Sequence, residues 1–294
     1  MTEFMTTREL AALLRVKERK VYDLVAEEAL PVRRVTGKLL FPRVEIEKWL
    51  AGASAAPTPA VAPLESDRPL ILAGGHDPLL EWALRESRSG VAAFLDGALD
   101  GLERAAESRS VAAGLHIPEN RGEDWNVAAV RGKFAAEPVV LIEWAKRTRG
   151  LIYREGERKL TNLADIGDLR FQSRQPEAGS ELVLSILLER AGIARKDLRL
   201  VETVERSETD VAMAVAAGRA DAGLAVEAAA RQYRLGFAPL IVERFDLLVW
   251  RKAYFDPPFQ RLMRFCLGPT FAERAHALGG YDVSGFGTVH YNGP

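Results

Sequence analysis

Eleven consecutive residues, Ala53-Ser54-Ala55-Ala56-Pro57-Thr58-Pro59-Ala60-Val61-Ala62-Pro63, hold three prolines and neither an aromatic nor a charged side chain. Such a stretch has no large apolar group to bury and lacks a backbone donor at each proline, so no core can run through it. Extended at about 3.1 Å per residue, it spans roughly 34 Å as a semi-stiff spacer. The 294 residues are thereby divided into a head over 1–52, a linker over 53–67 and a body over 68–294. Length favours the same division, because one core seldom organises so many residues. With 48 % apolar and 28 % charged residues the composition is globular, which excludes wholesale disorder.

Forty basic side chains stand against 41 acidic ones, a formal net charge of −1. Any nucleic-acid surface must therefore be local. The lone cysteine, Cys266, removes internal disulfides and multi-cysteine zinc sites, and its flanks, Met263-Arg264-Phe265 and Leu267, predict a buried core thiol rather than a nucleophile. The chain opens without a basic leader followed by an apolar run. No stretch of about 18 apolar residues occurs, the longest being interrupted by Asp96, Glu143 or Asp246. The expectation is a cytoplasmic protein with no membrane partner.

In the head, Thr6-Thr7-Arg8-Glu9 sets a hydroxyl three residues ahead of a glutamate, the capping-box arrangement, and Leu10, Leu13 and Leu14 follow at helical spacing. A helix from near Thr7 breaks at Arg15-Val16. A second covers Lys17 to Val25 with Val21, Leu24 and Val25 inward, and Leu30-Pro31 ends the turn after it. Val32–Val35 and Lys38–Phe41 then read as strands around Thr36-Gly37, and Val44, Ile46, Trp49 and Leu50 mark a closing helix.

This order, with Glu9-Leu10-Ala11-Ala12-Leu13-Leu14, Val21-Tyr22, Leu30-Pro31, Arg33, Gly37 and Trp49-Leu50, resembles the excisionase-like, MerR-related winged helix-turn-helix family over residues 5–51. The resemblance implies binding to double-stranded DNA, with Lys17, Arg19, Lys20 and Tyr22 on the recognition helix and Arg33, Arg34, Lys38 and Arg43 on the phosphates beside the wing. Residues 1–52 carry ten Lys and Arg against eight Asp and Glu. So small an excess predicts weak binding by one head and a homodimer or higher homo-oligomer. A solvated basic helix in a protein-interaction module is the other reading of the same residues.

From Pro69 onward β-rich runs alternate with helical ones, which predicts an α/β body. Leu70–Gly75 reads as a buried strand, His76-Asp77-Pro78 as a helix start, and the same grammar recurs at Val91–Leu102, Val111–His116 and Phe171–Leu188. An amphipathic helix Thr209–Ala217 leads through Gly218 into Ala220-Asp221-Ala222-Gly223-Leu224. With Phe237–Leu240 and Phe245–Trp250 added, residues 68–287 resemble the two-lobed type II periplasmic binding proteins and LysR-type effector domains. The likeness is nearest to the cytoplasmic branch fused to small helix-turn-helix domains and associated with molybdate, tungstate or molybdenum-cofactor metabolism. It rests on His76-Asp77, Gly97, Gly101-Leu102, Gly114-Leu115-His116, Trp125-Asn126, Arg147, Gly150-Leu151, Arg174-Gln175, Gly179-Ser180, Ala220-Asp221-Ala222-Gly223, Pro239-Leu240, Glu243 and Gly280-Tyr281-Asp282.

What the resemblance implies is a small-molecule sensor with its second lobe at about 160–240 and its ligand between the lobes, at helix N-termini that favour an anion or polar group. The ligand-binding residues would be His76, Asp77, Gly97, His116, Trp125, Arg147, Arg174, Gly179, Ser180, Glu181 and Glu208. Gly75 and Ala98 stand where the family tends to have serine, Glu181 where it has arginine and Glu208 where it has histidine. Those changes weaken an oxyanion site and suit a larger polar or cationic ligand with a wall from Trp125 or Tyr233. Glu181 and Glu208 read equally as dipole-favoured acids in first helical turns, and Arg147, Arg149 and Arg174 equally as salt-bridge partners of Asp165, Asp168 or Glu243.

Catalysis has weaker support. His116-Ile117-Pro118-Glu119 with Glu123-Asp124 offers metal-ligand types without a His-Glu-x-x-His spacing, and the nucleophile elbow, phosphate loop and dinucleotide fingerprint are all missing. His276 and His290 fall in a surface helix and a C-terminal tail. The expectation is a ligand-responsive transcriptional regulator with no catalytic residue, metal or cofactor. Its ligand would be an oxyanion such as molybdate or tungstate, or another small polar metabolite. The competing expectation is an enzyme or accessory factor of molybdenum-cofactor metabolism that uses the head as an interaction module, and a third is a ligand-free body that only oligomerises.

Overall fold

The structure is a computed structural model and describes residues 4–14, 16–26, 30–35, 38–53, 68–156 and 158–294. Two compact units result, Met1–Leu64 and Glu65–Pro294. The expected linker, apart from Ala53, lies outside the described residues, as do Arg15, Thr36 and Gly37.

The head begins with a short strand β1 (Phe4–Thr6), followed by α1 (Thr7–Leu14), α2 (Glu18–Ala26), β2 (Arg33–Val35), β3 (Lys38–Pro42) and α3 (Arg43–Ala53). Thr6 caps α1: its backbone N–H donates to Glu9 Oε2 at 2.7 Å and its hydroxyl accepts from Glu9 N–H at 3.4 Å. That reciprocal box satisfies orphan donors and fixes where the helix starts. β2 and β3 pair antiparallel with Val35 opposite Lys38, and β1 adds itself to the far edge of β3 with Met5 opposite Phe41. Nothing in the sequence announces β1, because one buried residue, Met5, is the whole of its pattern. Met5, Leu10, Val21, Phe41 and Ile46 close a small core.

The body is one twisted sheet covered by helices. Its first lobe stacks β4 (Ile71–Gly74), β5 (Ala92–Phe94) and β6 (Ala112–Leu115) in parallel, with α4 (Pro78–Glu86) and α5 (Ala98–Ala106) between them in sequence. A two-stranded ribbon of β7 (Pro118–Glu119) and β8 (Asp124–Trp125) precedes α6 (Val127–Phe134). Next comes the fifteen-residue strand β9 (Val139–Tyr153). The second lobe holds β10 (Arg170–Gln172), α7 (Gly179–Ala191), β11 (Arg199–Leu200), α8 (Glu208–Ala216), β12 (Ala222–Val226) and α9 (Glu227–Gln232), and the fifteen-residue β13 (Gly236–Trp250) returns from it. Strand order is β11-β10-β12-β9-β13-β6-β4-β5.

β9 and β13 run antiparallel along their full length and belong to both lobes. The far half of β9 pairs with β12, while the far half of β13 pairs with β6. In sequence Phe237–Leu240 and Phe245–Trp250 read as separate segments, because the polar run Glu243-Arg244 between them hides a strand buried at that point. The chain ends with α10 (Arg251–Tyr254), α11 (Pro257–Cys266) and α12 (Pro269–Leu278), then β14 (Tyr281–Asp282) and β15 (Val289–Asn292), both paired to β9. Cys266 is buried among Phe259, Leu262 and Met263, and burial pushes its thiol up to about 12. His276 is exposed on α12, whereas His290 sits in β15 with Nε2 2.9 Å from the buried Glu143.

α5 lies directly on β4: a Cβ on Gly101 would stand 2.3 Å from the Gly74 Cα. Gly132 in α6 faces open space. Gly101→Ala should therefore cost about 1–3 kcal/mol in denaturant unfolding of the full chain, and Gly132→Ala should stabilise it by about 0.5–1 kcal/mol.

Candidate functional site

On the head, Lys17, Arg19 and Lys20 are exposed at and within the first turn of α2, and Tyr22 is 52 % exposed one residue beyond the buried Val21. The helix spends one side on the head's core and leaves a basic side to solvent. Lys38 is exposed on β3, and Arg34 is described only as a residue of β2. Arg33 donates to Glu45 at 2.8 Å, and Arg43 lies 3.9 Å from Glu47, so both cations at the expected wing already have a carboxylate beside them.

In the body, all the residues expected to hold a ligand are buried, and an unbroken chain of charge links most of the ionised ones. The Arg147 Nε donates to Glu243 Oε1 at 2.5 Å and its Nη1 to Asp77 Oδ2 at 2.8 Å. Arg149 grips the same Glu243 through Nε and Nη2, both at 2.9 Å, and then Glu208 through Nη2 at 2.9 Å and Nη1 at 3.2 Å. Arg174 reaches Glu208 Oε1 at 3.4 Å and donates to the carbonyls of Glu205 and Arg206. Three guanidinium groups thus face three carboxylates, Asp77, Glu208 and Glu243. Asp77 also caps α4 through the Leu80 N–H and accepts from the Trp144 indole and the Tyr281 hydroxyl.

His116 is the keystone between the lobes. Its Nδ1–H donates to Glu243 at 3.2 Å and its ring stacks on Phe245. A Cβ on Gly75 would come within 2.9 Å of that ring from the first lobe, and one on Gly179 within 2.6 Å from the second. Glycine at 75 is therefore a steric need of the imidazole. Gly97, with φ +142°, brings the start of α5 against the Glu177 carbonyl, which accepts from Leu99 N–H at 3.1 Å. Arg206 pairs with Asp96, and the Gln175 amide donates to the Asp96 carbonyl. No sequence signal links Asp96 to Arg206, which lie 110 residues apart.

Glu181 accepts from the Arg174 backbone N–H at 2.7 Å and from Arg195 at 2.5 Å. Asp165 caps its own turn, and Asp168 pairs with Arg158. Trp125 packs in the cluster around Leu151 and Leu184, and Tyr233 in another around Ile152 and Val211, so the two expected aromatic walls do not share a site. Glu119 caps Ala129 N–H and Asp124 holds Asn120, away from His116. Among the described residues no group of three or more His, Cys, Asp and Glu side chains is placed to hold a metal ion. Three buried polar atoms of the interlobe residues have no partner among the described residues: His76 Nδ1, Arg147 Nη2 and Ser180 Oγ.

The sequence profile of the PBP superfamily domain matches residues 81–267, more than half of the chain. The chain belongs to the PBP superfamily. A helix-turn-helix domain profile matches residues 4–54. The chain is 24 % identical over 266 residues to the Bacillus subtilis (strain 168) "Uncharacterized protein YvgK", covering 85 % of this chain and 86 % of that one. A Clostridium perfringens protein described as a putative phosphate ABC transporter substrate-binding protein, solved with bound phosphate, superposes with a TM-score of 0.53 at 12 % identity, over 71 % of this chain and 96 % of its own. An H2O2-bound mutant of Corynebacterium glutamicum OxyR gives 0.49 at 14 % identity, over 93 % and 89 %. At 12 % identity the first of these speaks to fold alone.

The PBP-superfamily body is thus closed on itself, with its interlobe charge balanced from within. Burial alone would raise the Glu208 carboxyl, but Arg149, Arg174 and Arg147 outweigh it and hold the group down to about 2. Burial lowers the His116 imidazole below its ordinary value, against the pull of Glu243. Removing one member of such a chain leaves a buried charge without its counter-ion. Glu208→Gln should therefore cost about 3–5 kcal/mol at neutral pH in denaturant unfolding. Because the folded carboxyl titrates below its ordinary 4.5, its contribution is complete above that pH and disappears as pH falls toward 2. The gap between wild type and variant should close over that window.

Proposed function

We propose that this chain is a ligand-responsive transcriptional regulator in which the helix-turn-helix head binds double-stranded DNA and the PBP-superfamily body binds a small molecule between its lobes. The observation that carries the reading is the basic, solvent-facing side of the second helix of a helix-turn-helix unit, where Lys17 stands just ahead of α2 and Arg19, Lys20 and Tyr22 stand on it. A helix so exposed can enter a major groove without unpacking the head. With Arg33 engaged by Glu45, the contacts to phosphate fall chiefly to Lys38 and the start of α2, so one head binds weakly and two act together. A homodimer or higher oligomer would meet that need, and a regulator that reads the duplex would work in the cytoplasm.

The charge balance between the lobes bears on the ligand. With three cations already matched by three anions, a molybdate-like oxyanion would arrive with no free positive charge to meet it, and Glu208 would repel it. A neutral or zwitterionic polar ligand is better suited. The unpartnered Arg147 Nη2, Ser180 Oγ and His76 Nδ1 are donors and acceptors that it could satisfy, since a buried polar group without a partner is costly. Such a ligand needs only to favour closed over open lobes by a few kcal/mol to move the equilibrium.

Fluorescence anisotropy of the full chain with its upstream intergenic duplex tests the reading. Binding should weaken steeply as salt rises, and Arg19→Ala with Lys20→Ala should lower affinity at least about tenfold and reduce the salt slope by about 2. Absence of binding at about 50 mM salt, or an affinity indifferent to the double variant, would overturn it.

A further inference from the structure

A groove of about 610 Å³ crosses from one lobe to the other outside the buried charge chain, between α4 and α12 of the first lobe and α8 and α9 of the second. Its size is that of a small-molecule site. Arg85, Arg231 and Arg274 line it, with one carboxylate, Glu81, among them. That carboxylate sits 3.3 Å from His76 Nε2 through one oxygen and forms an ion pair with Arg85 at 3.7 Å through the other, which leaves most of the Arg85 donors unused. Arg231 is held by Glu227 at 2.6 Å. Arg274 has no carboxylate or carbonyl partner among the described residues and lies only over the Trp82 ring, 5.6 Å from its centroid. The Trp82 indole is half-buried, tilted against Phe265, and lines the groove, as does Thr209 in the first turn of α8.

We propose that this groove is a second ligand site and takes a small planar organic anion, an aromatic carboxylate in chemical class. Arg85 and Arg274 present two guanidinium forks with donors to spare, the geometry that a carboxylate fills with paired hydrogen bonds. The indole offers a flat apolar wall to the ring that carries the carboxylate. Inorganic phosphate would satisfy the cations and leave the indole unused, and an organic cation would be repelled by Arg274, which has no carboxylate beside it among the described residues. Because the walls come from both lobes, an occupant contacts both and holds them together, by contacts that the interlobe charge chain does not provide.

Isothermal titration calorimetry of the full chain, without DNA, tests the assignment with benzoate, inorganic phosphate and benzylamine as probes. Benzoate should bind one saturable site, quench the indole emission through Trp82, and bind more tightly than phosphate, and benzylamine should give no saturable heat. Arg274→Ala and Arg85→Ala, both at exposed positions, should each weaken benzoate about tenfold, Glu81→Gln should leave it equal or tighter, and Trp82→Phe should remove the quench. The assignment is overturned by absence of saturable benzoate binding, by phosphate or benzylamine binding as well as benzoate, or by benzoate affinity unchanged in both arginine variants. DNA affinity plays no part in these readouts, so such a failure would leave the regulator reading standing.

Discussion

The body depends on one arrangement of charge: two arginines two residues apart on β9 share a single glutamate on β13. Arg147 lies opposite Glu243 in the strand register, and Arg149 reaches the same carboxylate from the next position on that face. Alternation along a strand puts residues 147 and 149 on one side of the sheet, so their positive charges are forced together at the point where the sheet passes between lobes. Two guanidinium groups so close cannot share a dry interior without anions. Glu243 answers both, and Glu208 and Asp77 supply the rest from helix N-termini, where carboxylates are favoured.

This requirement organises its neighbours. Asp77 must point inward, which fixes the start of α4, and it draws Trp144 and Tyr281 toward the same spot. Glu208 must lie against Arg149, and its second oxygen accepts the Val226 N–H at 3.2 Å, tying α8 to the end of β12. Phe245 covers the Arg147 guanidinium at 4.3 Å and the His116 ring at 5.6 Å, so the charged chain has an aromatic lid on the core side. Glycine at 75, 97 and 179 then follows from close approach: Gly97 and Gly179 let one lobe's backbone meet atoms of the other, and Gly75 makes room for the His116 ring within the first lobe.

Much of this is legible in the sequence, and the limit falls where physics becomes non-local. The capping box at Thr6 and Glu9, the N-cap Asp77 with Pro78 behind it, and the small-residue strands are written in spacings of a few residues, and the elements form there. The two lobes and the residues gathered between them can be named from the order of short motifs. Their partners cannot. Whether Arg147 meets Asp168 or Glu243 depends on which strands become neighbours, and Arg206 with Asp96 depends on how the lobes close. β13 divides in two on the page because Glu243 and Arg244 look like surface residues until the cations opposite them are known. His290 looks like a tail residue for the same reason, since Glu143, its partner, belongs to the middle of the chain.

The same arrangement dictates how the lobes can part. β9 and β13 are joined by hydrogen bonds along their whole length, so any hinge bends these two strands and keeps them paired. Arg147, Arg149 and Glu243 all lie on these two strands, where both arginines bond the glutamate. Among the contacts that bridge the lobes to either side are Arg206 with Asp96, the Gln175 amide with the Asp96 carbonyl, Leu99 with the Glu177 carbonyl, and the His116 ring with Gly179. The first is an ion pair at the surface, where its net worth is small, the next two are neutral hydrogen bonds and the last is a ring contact. The charged hinge thus holds the fold together while the contacts that close the lobes stay weak enough for a ligand to decide between them.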